Sequence, residues 1–260
     1  MSKMPGNTQW WRAALRADAA AMQTVFEEAA AAPAGLAAEV PPCPGWTLLD
    51  LLHHVGTVYY SVRSHLDRGV ATRPEQDPRE TLGELPTGRE AIHWWAGEYQ
   101  QLALLLETVD PQLPAWNWAP APKQAWFWHR RMAHETSIHR WDAQMALGHA
   151  EPIEPKLAAD GVAEVLDSWL PAGRRKGPSD RSGVVRLTAT DVEQEWFVRL
   201  RGEGIALLDT DTWLDHDDPD TRVAAAGTVS DLVLALFGRV PFEVMDVAGD
   251  LTLLQALRTG

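Results

Sequence analysis

From Thr8 to Leu147 the chain carries four long stretches with helix-forming composition or helical apolar spacing, separated by proline- and glycine-containing breaks, and this restricts the amino-terminal half to packed helices. The first stretch, Thr8 to Ala32, is rich in Ala, Glu and Gln and stops before Pro33 and Gly35. After the loop Val40-Pro41-Pro42-Cys43-Pro44-Gly45-Trp46, Thr47 with Asp50 three residues later forms a variant capping box, which predicts a second helix to about Arg68, closed at Gly69. Residues 70–88 hold prolines, glycines and charges and read as a loop. A third helix is predicted from Arg89 to about Val109 and a fourth from about Ala125 to Leu147, with Gly148 just past its end. Four such helices bury their apolar stripes against one another as a bundle.

The texture changes after Pro152. A helix from about Lys156 to Leu170 precedes a Gly/Arg/Lys/Pro/Ser-rich stretch, Pro171 to Gly183, and then short β-rich runs: Val184 to Thr190, Glu195 to Leu200, Gly204 to Leu208. Thr228-Val229-Ser230-Asp231 starts a helix through Leu236, and Asp250 to Leu257 reads as the last one. The expected fold is α plus α+β, with a four-helix bundle over 1–152 and a smaller α+β domain over 153–260.

Charge narrows the partners. A formal net charge of −13 opposes nucleic acid and anionic membrane, both of which attract basic surfaces, so the expected partner is a small molecule. Cys43 is the single cysteine, which excludes an internal disulfide and a cysteine-rich zinc module and fits a reducing cytoplasm. Met1 to Gly6 lacks an apolar leader, and no apolar run approaches the ~18 residues of a membrane span. A soluble intracellular protein is expected.

Glu135 and His139 are four residues apart, the spacing that points two side chains the same way from a helix. His54, on a different predicted helix, offers a third ligand, and two imidazoles with one carboxylate leave coordination positions open, as a catalytic metal requires. The bland readings stand beside this one: a Glu-x-x-x-His pair is also an ordinary polar contact on a helix surface, and His54 also reads as an exposed histidine. His53 should point elsewhere, into solvent. His134 lies five residues from His139 and cannot face the same ion, so it reads as outer support or as a hydrogen bond to a loop. Asp142 either fixes an imidazole from outside the ligand set or is a surface carboxylate.

Of the 13 tryptophans, Trp94, Trp95, Trp116, Trp118, Trp126, Trp128 and Trp141 gather around the third and fourth helices, where core filling accounts for most of them and pocket walls for the rest. Cys43, between prolines and with no base beside it in sequence, reads as packing. Arg186, Arg199 and Arg201 read as a solvated strand face, and neither a glycine-rich phosphate loop nor a serine nucleophile elbow is present.

Taken together, Cys43-Pro44-Gly45-Trp46-Thr47, His54-Val55-Gly56, Arg131-Met132-Ala133-His134-Glu135 and His139-Arg140-Trp141-Asp142-Ala143 resemble the mycothiol-dependent maleylpyruvate isomerase family. Gly227 to Leu232, Phe237-Gly238-Arg239-Val240-Pro241 and Val247 to Asp250 look like the family's carboxy-terminal domain, so the resemblance spans nearly the whole chain. It implies a DinB-like bundle, zinc on His54, Glu135 and His139, mycothiol as cosubstrate, and a substrate-binding or substrate-polarising arginine at Arg239, whose role rests on the resemblance alone.

These features imply an enzyme that turns a low-molecular-weight thiol into a thiolate for attack on a small electrophile. Transfer to an unidentified electrophile stands slightly ahead of maleylpyruvate isomerisation, since the motifs select no substrate. The alternatives are a metal-dependent hydrolase using bound water, which would turn over without thiol, and a non-catalytic binding protein whose metal has no exchangeable ligand.

Overall fold

The structure, a computed structural model, describes residues 7–202, 204–208 and 221–259. Residues 1–6, on which the expectation about a leader rests, lie outside the described residues. The chain divides between Glu151 and Pro152 into two compact units.

The amino-terminal unit holds α1 (Thr8–Ala31), α2 (Leu48–Arg68), α3 (Gly88–Thr108) and α4 (Trp126–Ala146). Thr47 and Asp50 form the reciprocal box at the start of α2: the Thr47 N–H donates to Asp50 Oδ2 at 2.8 Å, and the Asp50 N–H donates to Thr47 Oγ1 at 3.3 Å. Gly69 ends α2 in the left-handed region at φ 61°, which a side chain would disfavour. The 70–88 connection is not wholly irregular, because Asp77 caps a short 3-10 turn, Pro78–Thr81.

The helices close a ring in which α1 and α2 each touch both α3 and α4. Trp95 of α3 is fully buried at its centre, with Phe26 edge-on at 5.3 Å, Tyr99 stacked at 6.1 Å and Tyr59 at 6.2 Å. Gly56 lets α3 lie close to α2, since a Cβ there would overlap the Trp94 ring. Of the aromatic cluster, Trp95, Trp126, Trp128 and Trp141 fill core, whereas Trp94, Trp116 and Trp118 are half-buried.

Polar as its sequence is, α4 is buried at every position from Trp126 to Gln144 except Glu135. Several of its buried polar groups find partners, as burial demands. Arg140 reaches Asp18 of α1 at 3.1 Å and the Gln144 side chain at 2.6 Å. Thr136 shares a 2.6 Å hydrogen bond with the hydroxyl of Tyr59, which sets α2 against α4 one turn from the histidine on α2 discussed below.

In the carboxy-terminal unit α5 (Pro155–Glu164) begins with Pro155 at its first turn and the Glu154 side chain accepting from two backbone N–H groups, then continues as a π-helical turn, Val165–Trp169. A five-stranded sheet follows, built of β1 (Ser182–Ala189), β2 (Gln194–Arg201), β3 (Gly204–Leu208), β4 (Arg222–Gly227) and β5 (Asp246–Gly249) in the order β3-β2-β1-β4-β5. Only the β1–β4 pairing is parallel. The α6 helix (Val229–Leu236), capped by Thr228, and the short α7 (Leu251–Gln255), capped by Asp250, complete the unit.

Two strands go beyond the sequence reading. The β4 run Arg-Val-Ala-Ala-Ala-Gly has little intrinsic strand preference and is drawn into the sheet by pairing on both sides, while β5 is short and ends in glycine. Arg186 is not simply solvated but pairs across the strands with Glu195 and lies over the Phe197 ring, whereas Arg201 is exposed. Among the described residues no helix is long and apolar enough to cross a membrane.

One buried group makes the bundle sensitive to acid. His65 of α2 is 4% exposed, stacked on Trp128 at 5.5 Å and edge-on to Trp116 at 4.9 Å, and its Nδ1 makes no hydrogen bond among the described residues. Burial, with the nearby Arg68 charge, pushes its pKa down to about 4. A histidine whose folded pKa lies below its unfolded value stabilises the fold fully above the unfolded value, and that stability is lost as pH falls from about 6.5 towards 4. The gap corresponds to about 3 kcal/mol. Denaturant unfolding of wild type and His65→Gln at pH 7 and pH 4.5 should therefore give a stability difference that shifts by ~2–3 kcal/mol against wild type at the lower pH. A difference that does not change with pH would show that His65 is not held neutral.

Candidate metal centre

The middle of α2 brings His54 opposite the stretch of α4 that carries Glu135 and His139. Their ligand atoms lie within 4.8 Å of one another. His54 Nε2 is 3.3 Å and His139 Nε2 3.4 Å from the same oxygen, Glu135 Oε1. Two donors ~2.1 Å from a tetrahedral zinc ion are separated by about 3.4 Å, so the spacing suits a shared cation as well as direct hydrogen bonds. The donor set of two imidazoles and one carboxylate also suits zinc, with one position left for an exchangeable ligand.

Two of the three candidate ligands are held from behind. Arg131, one turn before Glu135 and itself buried, donates to Glu135 Oε2 at 3.0 Å, which leaves Oε1 facing the histidines. His139 Nδ1 donates to Asp142 Oδ2 at 2.8 Å, fixing the tautomer that presents Nε2 to the site. Asp142 is wholly buried, so the surface alternative is excluded. Burial opposes ionisation of Glu135, yet hydrogen bonds from His139 and His54 and the Arg131 charge hold its carboxyl well below the usual range. It is therefore ionised, as a metal ligand must be. For His139 burial works downward, but the Asp142 and Glu135 hydrogen bonds outweigh it and raise its pKa.

The site opens on one side. Side-chain exposure is 36% at His54, 13% at Glu135 and 8% at His139, which places access at the α2 edge. A cleft of about 440 Å³ lies there, its lining including Trp46, Asp50, His53, His54, Thr57 and Arg79. The Trp46 ring sits 5.0 Å from that of His54, and Arg79 is braced by Asp77 at 3.0 Å. His53 is not solvent-facing as expected: it is half-buried, and its Nε2 pairs with the Pro86 carbonyl at 2.8 Å, a partner distant in sequence. His134 is buried and stands outside the ligand group.

Trp46, Arg79 and Arg131 were missed from sequence. The i,i+4 spacing of Arg131 and Glu135 was a usable signal; Trp46 stood in a segment that resembles the family, but no spacing placed it or Arg79 at the cleft, because folding alone brings them there. Arg239 lies in the carboxy-terminal unit just beyond α6, half-buried, with its guanidinium donating to the Phe237 carbonyl at 2.9 Å.

Residues 15–144 match the family model of the mycothiol maleylpyruvate isomerase N-terminal domain. Two solved structures resemble the chain over 93% of its length and 92% of theirs, each with a TM-score of 0.60: a mycothiol-dependent maleylpyruvate isomerase at 13% identity and a histidine-to-alanine mutant of a mycothiol-dependent maleylpyruvate isomerase at 12%. At such identities the likeness is one of fold. No curated protein matches in sequence.

Proposed function

The chain belongs to the family defined by the mycothiol maleylpyruvate isomerase N-terminal domain, and from that premise we propose that it is a zinc-dependent enzyme using mycothiol to attack a small electrophile. The observation that carries the reading is the convergence of His54, Glu135 and His139, all inside the matched segment, with 3.3 and 3.4 Å between donors. A bound zinc ion would supply positive charge and an open position at which a thiol loses its proton near neutral pH.

The chain's own residues do the rest. Arg131 and Asp142 hold Glu135 and His139 in place, the Trp46 ring packs tilted against His54, and the cleft beside His54 admits the electrophile. Within this reading Arg239 binds a substrate carboxylate or stabilises enolate charge, a role resting on resemblance to the family. For a cis alkene such as maleylpyruvate, thiolate addition leaves a single bond that rotates, and elimination returns the thiol and the trans alkene. With other electrophiles the adduct is released, and the same site acts as an S-transferase. The names of the structural neighbours favour isomerisation as the first substrate to try. The reading sets the enzyme in a reducing cytoplasm, where a small cosubstrate stays a free thiol.

The test joins metal analysis to a thiol-dependence assay, offering mycothiol and other small thiols with maleylpyruvate, activated alkenes and epoxides. About one zinc per chain and turnover that requires mycothiol are expected. Equal turnover without thiol would instead assign a hydrolase.

A further inference from the structure

We infer that the loop 40–46 aligns both histidines of the site, and that Cys43 is a positioning residue acting on His139 through Asp142. The loop is tied to itself and to the start of α2. Val40 N–H donates to the Trp46 carbonyl, Cys43 N–H to the Val40 carbonyl and Trp46 N–H to the Cys43 carbonyl, each at 2.9 Å. Just outside it, Leu48 N–H donates to the Ala38 carbonyl at 2.9 Å, and Glu39 bridges to Thr47. Pro42 and Pro44 on either side of Cys43 restrict the backbone further.

From this fixed frame two contacts reach the site. The Cys43 thiol donates to Asp142 Oδ2 at 3.5 Å, the same oxygen that accepts from His139 Nδ1 at 2.8 Å. The Trp46 ring meets His54. A thiol is a weak donor, but Asp142 is wholly buried, and a desolvated carboxylate is held by each donor it has. With the thiol in place, Oδ2 carries two donors that set its direction towards His139; loss of the thiol removes one of them and weakens that alignment. The loop thus joins the helix bearing His54 to the helix bearing His139 by side-chain contacts at the site itself.

The inference rests on the cation reading above, and the test separates the two. Zinc dissociation constants of the full chain would be measured by chelator competition for wild type, Cys43→Ala and Cys43→Ser, together with the visible absorption of the cobalt(II) forms and the unfolding midpoint of the metal-free proteins. The alanine variant should bind zinc roughly tenfold more weakly, as loss of an outer-shell partner does, with a shifted cobalt spectrum and an unchanged metal-free midpoint. Serine, whose hydroxyl also donates to Asp142, should restore most of the affinity. Tight zinc binding by wild type and by Cys43→Ala alike overturns the role of Cys43 while sparing the cation reading. Serine failing as badly as alanine, with both midpoints lowered, reduces Cys43 to packing. A wild type that takes up no zinc overturns both.

Discussion

Replacing His139 or His54 with alanine is expected to empty the site of zinc and abolish thiol-dependent turnover. If three protein ligands share the ~10–16 kcal/mol of a tight zinc site, each contributes about 4 kcal/mol, or roughly a thousandfold in affinity. The two variants should differ in the metal-free protein. His54 is one-third exposed and its Nε2 meets a Glu135 carboxylate that Arg131 still holds, so His54→Ala should lower the metal-free midpoint less than His139→Ala. His139 Nδ1 donates to the wholly buried Asp142, so His139→Ala takes a donor from that carboxylate and should cost about 1–3 kcal/mol. Elemental analysis after dialysis and chemical denaturation read the two effects separately. Full zinc content in both variants would rule out this ligand set.

The second large effect is expected from Trp95→Ala, at the centre of the bundle. Trp95 is fully enclosed by Phe26, Tyr59 and Tyr99, and truncation of a buried tryptophan costs about 3–5 kcal/mol, part in lost burial and part in the cavity left behind. For a unit of this size the midpoint of its thermal transition should fall by roughly 10 °C. Because Tyr59 also anchors α2 to Thr136 of α4, the cavity should loosen His54 against Glu135, and zinc affinity should fall with stability. Trp95→Phe, which keeps a ring in contact, should recover most of both. A Trp95→Ala protein that melts like wild type would mean that the ring of helices closes elsewhere.

Much of the fold was legible because its signals are local. The box at Thr47 and Asp50, the glycine stop at Gly69 and the apolar spacing of α1 to α3 predict helix ends within a residue or two of those found. The strands β1, β2 and β3 have β-branched and aromatic runs that identify them. In contrast, β4 owes its existence to two neighbours, and Ala224, Ala225 and Ala226 carry no such preference. The burial of α4 was equally hidden: nothing in the local sequence around Arg130, Arg131 and Arg140 encodes their burial, which arises as helices and loops pack around them.

The candidate site divides the same way. Four residues along a helix is a fixed rotation, so the shared direction of Glu135 and His139 is a property of the chain itself, available before any packing is known. That Oε1 of Glu135 meets His54, that Asp142 is sealed from water behind His139, that Cys43 touches Asp142 across 99 positions, and that Trp46 and Arg79 wall a cleft are decided by how α2, α4 and their loops come together. Distances between residues far apart in the chain, and the exclusion of water from a polar group, are set by the neighbours that close around it, and no local periodicity encodes them.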